Sequence, residues 1–170
     1  MKLNKLIVLI MLALTFCVSS IAADDEKVWK LGVIKNNPGE QMMQNKPFPE
    51  YFKIIKSEDS SKSDLVVKMR NQNKEKKYPF TLNTSVVTES YQVYGVPFPT
   101  FAAKERTVVD YQGDKMIISM NWTRADRPDW QTSSEYKITF REDGGISFLR
   151  TNGKNSGATY LEFKAEYELQ

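Results

Sequence analysis

The chain has 170 residues, of which 41% are hydrophobic and 26% are charged, so it is long enough for one domain with its own core. It contains no histidine, which excludes Ser–His–Asp and Cys–His catalysis and zinc sites built on imidazole. The formal net charge of +3 is too small to indicate nucleic-acid binding.

The beginning of the chain has the pattern of a secretory signal peptide. Two lysines precede a mostly apolar run, Leu6–Val18, and small residues then lead into the acidic Asp24. A retained membrane anchor would need ~20 apolar residues, and this run is shorter. We predict that cleavage after Ala22 removes residues 1–22, although cleavage after Ala23 fits nearly as well. The mature chain would then have no transmembrane segment and would be exported to the periplasm or out of the cell.

The single cysteine, Cys17, lies within this leader. A lipid-modified cysteine usually follows a small residue, whereas Phe16 precedes this one, so we expect no lipidation. After cleavage the chain has no disulfide, no thiolate nucleophile and no thiolate metal ligand. The leader also carries two of the 24 basic residues, which leaves 22 against 21 acidic ones and a net charge of +1.

Alternation of apolar and polar residues predicts three strands in the first part of the mature chain. They are Val28–Lys35, Tyr51–Lys56 and Asp64–Arg70. The segment between the first two, Asn36–Pro49, contains prolines and an Asn-Pro-Gly sequence, which are typical of a loop. The polar, lysine-rich Asn71–Lys77 is predicted to be a solvated hairpin loop.

A long strand and the most apolar loop of the chain come next. Phe80–Tyr94 is rich in β-branched and aromatic residues, so we predict one long strand that is bent or interrupted near Asn83–Ser85. The loop is Gly95–Ala103, which contains Phe98 and Phe101. Exposed, it would form an apolar patch for binding or membrane contact. Folded over, it would plug or cover the mouth of the fold, and tucked against the core edge it would only pack.

The second half of the chain is a succession of shorter predicted strands. They are Glu105–Gln112, Lys115–Thr123, Ser133–Glu142, Ile146–Thr151 and Ala158–Leu169. Met116, Met120 and Trp122 share one face of the second of these, as expected of a half-buried strand. The Glu142–Gly145 sequence, Glu-Asp-Gly-Gly, indicates a hairpin turn.

These segments amount to about eight or nine strands, with short polar connections and no convincing amphipathic helix. Repeated short strands with turn residues between them predict an all-β fold. Hairpin-like connections favour a single antiparallel up-and-down β-barrel over a Greek-key sandwich. No linker divides the sequence, so residues 24–170 are predicted to form one domain.

Three short segments resemble known barrel families. They are VWKLGVI with its tryptophan, YFKIIKSEDSS and ESYQVYG. The order of features is similar to lipocalin-like and fatty-acid-binding-protein-like barrels, and more narrowly to small lipocalin-like proteins of bacterial envelopes that carry a signal peptide. The resemblance covers most of the mature chain in outline and implies a calyx-type barrel without specifying its ligand. In lipocalins a basic residue of the last strand packs over the tryptophan of the first, which here implies Lys164 over Trp29.

If the barrel holds a ligand, inward-facing aromatic residues and methionines are predicted to form its wall. These are Trp29, Met69, Tyr91, Tyr111, Met116, Met120, Trp122, Tyr136 and Phe140. Arg150 has the same parity as Ile146 and Phe148, so it would point inward and could pair with a ligand carboxylate. The alternative is that the aromatic residues are simply core and that Arg150 reaches solvent at the strand end.

The sequence offers little for catalysis. The acidic pairs Glu58–Asp59 and Glu142–Asp143 fall in predicted turns, where acidic residues serve turn geometry. Asp126 and Asp129 match no EF-hand spacing. We therefore expect no enzymatic activity, no cofactor and no metal. The first hypothesis is a barrel that binds a small hydrophobic or amphipathic ligand; the second is a structural or protein-interaction module of the cell envelope with a filled core.

Overall fold

The computed structural model describes residues 26–36, 48–59, 61–70, 72–94, 101–154 and 159–170. The predicted leader and Phe98 lie outside these residues. The strands are β1 (Lys27–Asn36), β2 (Pro49–Lys56), β3 (Ser63–Met69), β4 (Glu75–Phe80), β5 (Val86–Tyr94), β6 (Phe101–Tyr111), β7 (Lys115–Arg124), β8 (Gln131–Phe140), β9 (Ile146–Lys154) and β10 (Thr159–Leu169).

The strands form one antiparallel sheet in the order β4-β3-β2-β1-β10-β9-β8-β7-β6-β5. Neighbours in the sheet are neighbours in sequence, except that β1 pairs with β10. This order is that of an up-and-down barrel, nearly closed, whose seam lies between β4 and β5. The prediction of an all-β antiparallel barrel is confirmed, but the sheet has ten strands rather than eight or nine.

The extra strand is β4, which begins within the segment predicted to be a hairpin loop and ends at the first residue of the predicted long strand Phe80–Tyr94. The chain is interrupted near Asn83–Ser85, as predicted, but β4 and β5 on either side of the interruption lie at opposite edges of the sheet. Asn83 between them has a φ of 57°, a left-handed conformation that asparagine tolerates better than most residues. Its amide donates to the carbonyl oxygen of Tyr111 at 2.8 Å. The predicted hairpin loop 71–77 was also wrong in part, because β4 begins at Glu75.

Aromatic rings fill one end of the barrel, which we call the closed end. Trp29 lies edge-on to Phe140 with ring centroids 5.7 Å apart, and Phe140 contacts Tyr111 at 5.9 Å. Tyr111 in turn contacts Phe80 at 5.0 Å. The indole of Trp29 donates a hydrogen bond to the carbonyl oxygen of Gly144 at 2.8 Å. These four rings join β1, β8, β6 and β4 across the interior.

The middle of the barrel is filled in the same way. Phe52 contacts Tyr167 and Phe148, with ring centroids 4.7 Å and 5.2 Å away. Phe148 also contacts Phe163 at 6.1 Å. None of these four side chains is more than 2% exposed, so they leave almost no room for water beside them. The Tyr167 hydroxyl satisfies its hydrogen-bonding need by donating to the carbonyl oxygen of Pro49 at 2.7 Å.

The basic residue expected over Trp29 is not there. In the β1–β10 pair Trp29 lies opposite Leu169, whereas Lys164 lies opposite Asn36, several residues away along the strand. Lys164 is exposed and has outward parity, since it alternates with the buried Phe163 and Ala165. The expectation taken from lipocalins is therefore wrong for this chain.

Candidate functional site

Polar side chains enter the barrel interior on the side of the core away from the closed end. Glu105 and Thr107 of β6, Ser134 of β8 and Arg150 of β9 are each less than 9% exposed. Their partners in the sheet are inward-facing residues, so all four share the inner face. We call this part of the interior the polar half.

Arg150 lies deepest in the aromatic surroundings. Its side chain is 6% exposed, and its guanidinium carbon lies 5.7 Å from the ring centroid of Phe163. It also donates a hydrogen bond to the hydroxyl of Tyr136, its cross-strand partner. The parity argument therefore placed Arg150 correctly inside the barrel, while its pairing with a ligand carboxylate stays a prediction.

Two tyrosines connect Arg150 to the rest of the polar half. Burial raises the pKa of Tyr136, and the positive charge of Arg150 opposes that rise. Burial raises the pKa of Tyr78 well above its usual value, and the nearby Tyr136 and Glu105 act in the same direction. The rings of Tyr78 and Tyr136 lie 6.3 Å apart, and the Tyr78 hydroxyl lies 3.4 Å from the sulfur of Met120. Both phenols are therefore neutral hydrogen-bonding groups at neutral pH.

Glu105 is the centre of a hydrogen-bonded group that we call the Glu105 cluster. One carboxylate oxygen accepts from Thr107 at 2.9 Å and forms an ion pair with Lys76. The other accepts from Gln92 at 2.7 Å and from the indole of Trp122 at 3.0 Å. The five residues belong to β4, β5, β6 and β7, so the cluster spans the seam of the barrel. Four donors to one carboxylate compensate for the cost of burying its charge.

Comparisons with known proteins do not assign the chain to a family. No family model matches the chain, and no curated protein matches it. Among solved structures, the chain is similar to secretory abundant heat soluble protein 4 from Ramazzottius varieornatus, with 12% sequence identity and a TM-score of 0.42. That match covers 84% of this chain and 91% of the other.

Four of the residues predicted to form the ligand-binding wall lie in two groups inside the barrel. Trp29 and Tyr111 lie at the closed end, whereas Met120 and Tyr136 lie beside Tyr78 and Arg150 in the polar half. All four are at most 6% exposed. Trp122 is only half-buried, although its ring packs against the core and its indole contacts the Glu105 cluster.

Tyr91 is the misplaced residue. It is 77% exposed, because it lies on the outer face of β5, opposite Lys104 of β6. The placement of Tyr91 inside the barrel is therefore wrong. Tyr91 shares a face with Val87 and Val93, and this apolar face of β5 is the outer one. Phe101 begins β6, but its side chain lies outside the described residues, so the predicted lid role of Phe98 and Phe101 stays a prediction.

Sequence reasoning missed Glu105. The available signal was parity, because Glu105 alternates with Arg106 and shares the face of Thr107, Val109 and Tyr111. Glu105 was predicted only as the first residue of the strand Glu105–Gln112. Only the fold shows that Lys76 approaches it from across the seam and that Gln92 reaches it from β5.

Two negative observations hold for the part of the chain that the structure describes. No three His, Cys, Asp or Glu side chains there lie close enough together to hold a metal ion. Those residues also contain no helix of the length and apolar character needed to cross a membrane.

Proposed function

We propose that this chain is an exported, non-enzymatic barrel that binds one small amphipathic molecule with an anionic head group, such as a carboxylate. The observation that carries the proposal is the guanidinium of Arg150, which is 6% exposed among aromatic side chains in the interior. The head group would bind Arg150 and the hydroxyl of Tyr136, and the apolar part would point toward the rim of the polar half.

Burying the charge of Arg150 is not expected to stabilise the fold, which favours a role for this residue in binding. Removing an ion of this kind from water costs several kcal/mol, and replacing buried ionic groups with well-packed apolar ones is often neutral or stabilising. A guanidinium also presents a planar set of donors that matches a carboxylate in two places at once. Tyr136 stays protonated because burial raises its pKa, so its hydroxyl can donate a third hydrogen bond.

The rim of the polar half offers apolar surface for the rest of such a ligand. Phe48, Met69 and Trp122 are partly exposed and pack against the buried core. Phe48 also stacks on Phe163, the ring beneath Arg150, with centroids 5.6 Å apart. A cationic group at depth and apolar side chains nearer the surface suit a molecule with one charged end and one apolar end.

The experiment is a titration of the purified chain with a fluorescent fatty acid, followed by displacement with unlabelled carboxylates and the alcohols of equal chain length. We expect saturable binding, displacement by the acids, and at least about a tenfold loss of acid affinity in Arg150→Met. Arg106→Met, which changes an exposed arginine of β6, is the matched control and should bind normally. If none of the carboxylates and alcohols binds, the proposal is refuted.

A second function, a structural or interaction module of the envelope with a filled core, is favoured by a different observation. Phe52, Phe163 and Tyr167 have no exposed surface, so the middle of the barrel is occupied by its own side chains. In that case Arg150→Met should leave the free energy of unfolding unchanged or raise it, and no ligand of the panel should bind.

A further inference from the structure

Strand β5 is an edge strand that is exposed on both faces. It is the last strand in the sheet order, and in the described part of the chain its ladder is formed with β6. On its outer face Val87, Tyr91 and Val93 are 49%, 77% and 73% exposed. Thr88 and Ser90 on the opposite face are exposed as well. Such an edge presents unpaired backbone groups to any extended chain that approaches it.

The other edge of the sheet, β4, carries residues that protect an edge strand, whereas β5 does not. β4 carries Lys76, Lys77 and Pro79, and lysine and proline are the residues that protect edge strands from pairing with other chains. β5 has the sequence VVTESYQVY, with no lysine and no proline. Its one charge, Glu89, is already paired with Lys104 of β6 at 2.8 Å. The edge protection seen on β4 is therefore absent from β5.

In the described part of the chain, β4 approaches β6 at the seam and forms no ladder with β5. The Lys76 side chain of β4 passes to Glu105 of β6 instead of meeting the backbone of β5. The seam is therefore joined by side chains of the Glu105 cluster. A strand added to the free edge of β5 would extend the sheet by one strand.

We propose that two copies of this chain associate through antiparallel pairing of β5 with β5, about a two-fold axis at Ser90. In this register Val87 lies opposite Val93 of the partner subunit, and Glu89 lies opposite the partner's Tyr91. The two exposed valines of the outer face then meet each other, Glu89 faces an aromatic ring instead of a like charge, and the interface is the same on both copies, as two-fold symmetry requires.

The neighbouring symmetric registers are worse. An axis at Glu89 would place the two Glu89 side chains directly opposite each other, which is unfavourable. An axis at Tyr91 would place Glu89 opposite the partner's Val93 and would leave Val87 beyond the end of the ladder. The sequence of β5 therefore selects Ser90 as the centre.

Cysteine cross-linking tests the register. In a background with Cys17→Ser, Ser90→Cys should form a disulfide-linked dimer under mild oxidation, because residues directly opposite on paired strands have Cα atoms within disulfide reach. Thr88→Cys is the matched control. Its counterpart in the partner would lie roughly 14 Å away along the strand, so it should not cross-link. Equal cross-linking of both variants, or of neither, would overturn the register.

Sedimentation velocity over a range of concentrations tests association itself. Val87→Lys should raise the dimer dissociation constant at least about tenfold, because lysine protects an edge strand. Val33→Lys on β1 is the matched control, since Val33 is also 49% exposed, and it should leave the constant unchanged. Circular dichroism of each variant confirms that it is folded. A wild-type chain that is monomeric up to about 0.5 mM would refute the proposal and leave the β5 edge to a different extended partner.

Discussion

Glu105→Gln is the substitution whose effect follows most directly from the geometry. Glutamine keeps the shape of the side chain but replaces one carboxylate oxygen with an NH₂ group and removes the negative charge. Two of the four donors around Glu105 then face a donor instead of an acceptor, and Lys76 loses its ionic partner. The cluster cannot satisfy all of its members in any orientation of the amide.

The magnitude can be worked out from burial. Hydrogen bonds to charged groups contribute about 1.5–3 kcal/mol each, and breaking a fully buried ion pair costs about 3–5 kcal/mol. The Lys76 side chain is 39% exposed, so it can turn toward water and recover part of that loss. We expect Glu105→Gln to lower the free energy of unfolding by about 2–4 kcal/mol, a fall in Tm of roughly 4–16 °C for a chain of this size.

Urea unfolding followed by tryptophan fluorescence is the assay, since the indole of Trp122 donates to Glu105 and reports on the cluster. Glu89→Gln is the matched control. It makes the same change one strand away, where Glu89 is 47% exposed and pairs with Lys104 at the surface. The control should cost no more than about 1 kcal/mol. If the two substitutions cost the same, the Glu105 cluster does not hold the seam together and our account of it is wrong.

Three further predictions concern the core and its turns. Trp29→Ala should lower the free energy of unfolding in urea by about 3–5 kcal/mol, because Trp29 is only 3% exposed. Trp122→Ala should lower it by less, because Trp122 is half-buried. Equal losses would contradict the assignment of Trp29 to the closed end. Four tyrosines should ionise only as the chain unfolds, in an alkaline titration followed by tyrosinate absorbance. They are Tyr78, Tyr111, Tyr136 and Tyr167. Burial raises the pKa of each of these tyrosines in the folded state, so they ionise more readily in the unfolded chain. The free energy of unfolding therefore falls as the pH rises above about 10. Reversible ionisation of all eight tyrosines while the circular dichroism stays native would refute this prediction. Gly145→Ala should cost about 1–3 kcal/mol, because its methyl group would lie 2.9 Å from the carbonyl oxygen of Tyr167. Gly32→Ala should cost less, because the nearest atom to its added methyl group is a flexible glutamate side-chain oxygen at 3.2 Å. Thermal unfolding of the two variants measures the difference.

Local patterns in the sequence predicted much of the barrel. Alternation from Lys115 to Thr123 placed Met116, Ile118 and Met120 in the core, because a period of two is imposed by the strand itself. The hairpin turn at Gly144 was equally readable, since its φ of 84° is a conformation that glycine adopts without strain. Arg150 was found inside for the same reason of parity.

What sequence could not give was the position of the seam. The break between β4 and β5 depends on Asn83, whose amide bonds to Tyr111 from a strand more than twenty residues away. No local pattern encodes that contact, so an interruption near Asn83–Ser85 could be predicted, but not that the strands on its two sides lie at opposite edges of the sheet. The Glu105 cluster was missed for a related reason, since Lys76 of β4 becomes a neighbour of Glu105 only once the sheet has curled.

The pairing of β1 with β10 has a consequence for how the chain reaches its fold. Every other strand pair can form as soon as the next strand is available, because each is a local hairpin. The Trp29–Leu169 pair instead requires the two most distant parts of the barrel to meet, which makes its closure a late and slow event. Until then, the edge of β1 that will pair with β10 is unpaired. Trp29 does not yet have Leu169 beside it. The partly folded chain is therefore most open to wrong associations at β1, on the opposite side of the barrel from the seam at which the finished sheet remains open.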